Sequence, residues 1–435
     1  MKIKKNKLIQ FVNIILSKKS DNLKLDDVSI ENYKLAKYII ENTDIINIDK
    51  LELIVKESES ILDKMSIAYE KFKDNNFKFI KSESTNYSKI RNELFRFPSY
   101  NENKAFEIKE EINKIKEKHI YFLKIKDITL NLYFYSNDDS DFENLARIIY
   151  VLVYVFGQNS KNLDKYNIRF LLIDFPRILD STKQENQEGF KNLAEKGYFN
   201  NSSGVNRFLE KELVVTRKSG INGLLIHELI HMLGLDFCYN FNNNNHINIS
   251  NWKSEWVNNN NIREKNNNIN SFIESICNTN SCYFLALYNS VHICNKLSNP
   301  KLEKCFKYLF YLETLYCFIN SVKLLNYFGY NTYDSIFNNT NNKTFYQNAL
   351  VFEYIILRMF IMSRYYKLLF STMIKYDFNK ETTDKINTET QINLNKKLLS
   401  LAKNKVPKEN FDQISSVMKN FKQDKIYMEY FLTNF

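Results

Sequence analysis

At residue 119 the apolar residues of this chain change their spacing, and that change limits the folds open to it. Upstream, Leu51, Ile54, Val55, Ile61, Leu62 and Met65 recur at helical intervals among many charges, which predicts a helical N-terminal domain over residues 1–118. From there the chain runs His119-Ile-Tyr-Phe-Leu-Lys-Ile125 and Ile128-Thr-Leu-Asn-Leu-Tyr-Phe-Tyr135 about Lys126-Asp127, the pattern of a β-hairpin. A helix is expected over 141–157, a strand over Ile168–Asp174 and a short strand over Leu213–Arg217. Ile221-Asn222-Gly223 then opens an apolar helix that stops at Gly234, where glycine can take the left-handed cap conformation. Residues 240–270 are dense in asparagine and read as a loop or insertion. Helical spacing returns over 270–297, 301–328, 344–375 and 391–434. The expected class is α+β: a small mixed sheet and its helices in a domain over 119–298, with mostly helical regions over 1–118 and 299–435.

Composition narrows the setting. With 44% apolar residues in 435, the chain can bury a sizeable core and is not a disordered tail. Its charge of +11 suits anionic partners, yet no nucleic-acid-binding motif accompanies it, and the 28 Tyr and 34 Phe fall mostly in apolar runs that read as core. The six cysteines, at 238, 277, 282, 294, 305 and 317, form no CxxC pair, and a reducing, intracellular setting is the simpler expectation. The charged start Met1-Lys2-Ile3-Lys4-Lys5 and the apolar run after it resemble a leader, but Gln10 and Asn13 interrupt the run and no small-residue cleavage site follows. An amphipathic first helix is expected instead. The apolar stretches 145–156 and 349–370 are too short or carry Glu353, Arg358 and Arg364, so no membrane span is expected.

The chemistry concentrates at His227-Glu228-Leu229-Ile230-His231. Positions i and i+4 of a helix share a face, so both imidazoles can address one Zn2+. Glu228, beside them, can take a proton from zinc-bound water and pass it to a leaving amine. Only 5 histidines occur in the chain and two fall here, on a helix otherwise made of Leu224, Leu225, Ile226, Leu229, Ile230, Met232, Leu233 and Leu235. An unpartnered carboxylate in such surroundings would be costly. The expected reaction is zinc-dependent endopeptidase hydrolysis of a protein or peptide, with two alternatives: a non-catalytic structural or virion protein on the same scaffold, or a basic nucleic-acid-binding accessory protein.

The third ligand is open on spacing alone. Through Gly234 the run resembles the metzincin signature, but Phe237 stands where that family has its third ligand, and Asp236 is one residue early. A gluzincin-like arrangement takes a Glu from a second helix, often with an acid or amide four positions later to orient a metal-binding histidine. Glu274 and Asn278 fit that spacing, and Glu255 competes with Glu274.

These residues resemble the zincin-like metallopeptidases, and in particular little-characterised zincin-like proteins of large cytoplasmic DNA viruses. The likeness spans roughly 120–290 and rests on the strand Leu213–Arg217, the run Ile226–Asp236 and the segment Phe272–Cys282. It implies His227, His231 and Glu274 as zinc ligands, Glu228 as base, and a host-cytoplasmic or virion location. Asn278 stands where that pattern has an acid. Clostridial neurotoxin light chains are similar in length, in the HELIH pentad and in a distal Glu ligand, but continue differently after His231. In the N-terminal lobe of zincin peptidases the last strand before the metal helix borders the cleft, a place that Leu213–Arg217 would take here.

Overall fold

A computed structural model describes residues 3–17, 25, 27–73, 77–95, 109–157, 163, 165–173, 178–180, 204–207, 210–218, 220–235, 262–264, 271–296, 301–330, 332–336, 345–347, 352–370, 405–420, 425–427 and 432. The chain is a mixed α and β protein built on a six-stranded sheet. Helices α1 (Lys5–Ser17), α2 (Asp27–Asn42) and α3 (Leu51–Phe72) come first. Strand β1 (Phe77–Ser84) follows, within the stretch expected to be helical. It is a strand because β2 (Glu117–Ile125) offers it a partner 40 residues on: Phe77 pairs with Leu123 and Ser84 with Glu117, antiparallel. Local helical periodicity does not register a partner so distant.

Between these strands lie α4 (Tyr87–Leu94) and α5 (Lys109–Lys114), and β3 (Ile128–Tyr135) closes the expected hairpin. Lys126 turns it with a φ of 54°, a left-handed conformation. Helix α6 (Phe142–Phe156) carries the chain over to β4 (Tyr166–Leu171), which lies parallel to β3. Then come β5 (Ile178–Asp180), β6 (Gly204–Arg207), β7 (Glu212–Val215) and the motif helix α7 (Ile221–Leu233). The sheet order is β1-β2-β3-β4-β7-β6, with β7 parallel to β4 and β6 antiparallel to β7. The edge beside the motif helix is therefore β6, not the strand at 213–217. That strand is interior because β4 covers one side of it and β6 the other.

Alternation along the strands divides the core. Phe134 stacks on Phe142 of α6 at 4.1 Å and on Phe170 at 4.8 Å, while its neighbour Tyr135 faces the other way, toward Ile90, Leu94 and Ile112 under α4 and α5.

The described residues of the C-terminal half are mostly helical: α8 (Ser271–Lys296) and α9 (Leu302–Tyr327) pack together as a hairpin, with α8 lying along α7. The helix expected over 344–375 is broken into β9 (Phe345–Gln347), a π turn (Phe352–Leu357), α10 (Arg358–Ser363) and a second π turn (Tyr366–Phe370). Two side chains take carbonyls that a regular helix would use: Asn278 donates to the Tyr354 carbonyl at 2.9 Å, and Ser321 to that of Ile355 at 3.1 Å. Helix α11 (Lys405–Met418) and β10 (Lys425–Tyr427), paired with β5, complete the chain, while β8 (Ile262–Glu264) pairs with β9. One apolar cluster runs through all three stretches, from Leu8 to Leu432. Among the described residues no helix is long and apolar enough to cross a membrane.

Candidate metal centre

Helix α7 is buried almost all round, because α6, α8 and the strands β6 and β7 enclose it. Its end is set by Gly234, at φ 67°, whose N–H and that of Leu235 return to the carbonyls of His231 and Ile230. This fixes the last turn, which carries His231.

His227 and His231 sit one turn apart with ring centroids 5.0 Å from each other and planes at 81°. Their Nε2 atoms converge on one oxygen from α8: His227 Nε2 is 3.2 Å and His231 Nε2 3.6 Å from Glu274 Oε2. The same oxygen accepts the Tyr354 hydroxyl at 3.2 Å. The Tyr354 ring stands edge-on to His227, with centroids 6.0 Å apart. Asn278, one turn beyond Glu274, donates to the Tyr354 carbonyl at 2.9 Å and so acts on Glu274 at one remove. The competing ligands Glu255 and Asp236 lie outside the described residues.

Glu228 is 6% exposed. Burial first, and then Glu274, raises its carboxyl pKa, while His227 and His231 pull it down. Burial would also raise that of Glu274, but the two imidazoles outweigh it and hold Glu274 well below the usual carboxylate range. Burial would lower His227; the Cys277 thiol and Glu274 outweigh it and push His227 up to about 10. Two carboxyls and a thiol around two imidazoles thus favour positive charge at this point, whether a proton or a metal ion supplies it.

The edge strand supplies the remaining wall. A Cβ at Gly204 would stand 2.8 Å from Glu228 Cγ and 2.9 Å from its Cδ, so β6 passes this close only because residue 204 is glycine. Two ion pairs anchor the strand: Arg207 meets Glu212 of β7 at 2.6 Å, and Glu212 also meets Arg169 of β4 at 2.5 Å. Tyr166 bonds Asn206 of β6 and lies near enough to Glu228 for that carboxyl, after burial, to help raise its own pKa.

Sequence reasoning missed Gly204, Tyr354 and Cys277. Gly204, one of only 8 glycines, carried a faint signal. Tyr354, one of 28 tyrosines, carried none. Compared with known proteins, the chain matches no protein-family model, no curated protein and no solved structure.

Proposed function

We propose that this chain is a zinc-dependent endopeptidase of zincin-like architecture, with His227, His231 and Glu274 holding the ion and Glu228 as general base. The observation that carries the reading is the convergence of two imidazole nitrogens from α7 and one carboxylate oxygen from α8. Zinc–nitrogen bonds of about 2.0–2.1 Å put tetrahedral donors about 3.3 Å apart, and Glu274 Oε2 lies 3.2 and 3.6 Å from the two imidazole nitrogens. Both separations are near that spacing, which supports the reading.

When bound, zinc supplies Lewis acidity and lowers the pKa of a coordinated water from about 15.7 to about 7. The protein does the rest. Glu228, with its raised pKa, accepts a proton from the attacking water and returns it to the leaving amine nitrogen. Tyr354 holds Glu274 through its hydroxyl, which keeps that carboxylate turned toward the imidazoles. Among the described residues the antiparallel strand β6 stands last in the sheet, and it runs beside Glu228. That borderland between an antiparallel edge and the motif helix also supports the zincin-like reading.

Metal analysis with a peptidase assay tests the proposal. Wild type should carry one zinc per chain, and Glu228→Gln should keep the zinc while losing about 10²- to 10⁴-fold in activity. His231→Ala should lose both. A zinc-loaded wild type that cleaves nothing, with the variant indistinguishable from it in every assay, would favour a non-catalytic scaffold.

A further inference from the structure

Cys277 lies three residues after Glu274 on α8, so the two project from one face of that helix. The thiol is fully buried and donates to the His227 carbonyl at 3.4 Å. Its sulfur and one ring nitrogen from each of His227 and His231 all lie within 4.8 Å of one another. Zinc–sulfur bonds of about 2.3 Å and zinc–nitrogen bonds of about 2.0–2.1 Å put sulfur and nitrogen about 3.5 Å apart in a tetrahedron.

We infer that Cys277 is a fourth metal donor, giving the site a closed state in which two imidazoles, one carboxylate and one thiolate complete the coordination. The inference rests on the metal-site reading above and deepens it. With the thiol on the His227 carbonyl, as in the structure, His227, His231 and Glu274 would be left to hold an ion, and a catalytic zinc needs a position open to water or substrate. With the sulfur on the ion, the S–H bond breaks, a sulfur–metal bond forms, the proton passes to bulk water, and whatever held the fourth position leaves. The chain then holds its metal but has no place for a substrate. A thiolate in the set also selects for thiophilic ions, Zn2+, Co2+ or Cd2+, over Mg2+ or Mn2+.

Cobalt makes the two states visible. The full-length chain loaded with one equivalent of Co2+ should show sulfur-to-cobalt charge-transfer absorption in the near ultraviolet. Cys277→Ser and Cys277→Ala should each still bind one Co2+ and lose that band. Cobalt bound by wild type without the band, or a band retained in both variants, overturns the inference and leaves the three-donor site standing. Failure of wild type and both variants alike to bind cobalt, with native circular dichroism, would instead remove the metal site itself.

Discussion

Gly204 and Glu228 share a volume that only one of them can fill. Gly204 is not among the positive-φ glycines, so alanine suits its backbone and the conflict is with the carboxylate alone. Gly204→Ala should therefore displace Glu228, lower kcat/KM about 10²-fold, and leave the zinc content unchanged. Metal analysis and steady-state kinetics on the same preparation check this, and an unchanged kcat/KM would mean that Glu228 is not the base. The pair also shows how far a residue-level reading reaches. His227, Glu228 and His231 are legible because their spacing is local to one helix. Glu274 is legible only as a candidate among acids, since its choice depends on which helix packs against α7. Tyr354 and Cys277 come to the site solely through tertiary contact, with an oxygen 3.2 Å away and two ring nitrogens within 4.8 Å.

At the scale of elements, the termini and spans of the buried helices follow local rules. The helix expected over 141–157 is α6, Phe142–Phe156, and the one expected to stop near Gly234 does so. A Cβ at Gly234 would meet nothing within 4 Å, so Gly234→Ala isolates the backbone cost of φ 67°. It should destabilise the protein by about 1 kcal/mol, with Gly234→Asn costing less; urea unfolding of the three proteins measures both. Equal stability of all three would show that the left-handed cap does not hold the end of α7. Elements whose form depends on a distant partner escaped such rules. The strand β1 needed β2, the four-residue β6 needed β7, and the stretch 344–375 lost its regular helix where Asn278 and Ser321 captured its carbonyls.

Across the whole molecule, packing creates one titration that spacing could not announce. His292, on α8, shares a 3.0 Å hydrogen bond with the Tyr69 hydroxyl, stacks on Tyr288, and is 7% exposed. Burial first, then Arg147 and Lys296, push its pKa down to about 3. Between that value and the ordinary 6.5 the unfolded chain binds a proton that the folded chain refuses, so this contribution to stability is full above pH 6.5 and shrinks as the pH falls. Going from pH 7 to pH 5 should remove about 2 kcal/mol. Urea unfolding at both pH values should show that difference reduced by about this amount in His292→Gln, and an identical pH dependence in the variant would refute the assignment. The α and β periodicities, the motif on its helix and the left-handed stop after it were all determined by the sequence itself, because each depends on residues within a few turns of one another. The tertiary structure alone decided which strand lies at the edge, which acid meets the two imidazoles, and which hydroxyl and thiol stand beside them. Those choices are made by packing between segments tens of residues apart, for which a one-dimensional pattern carries no distance.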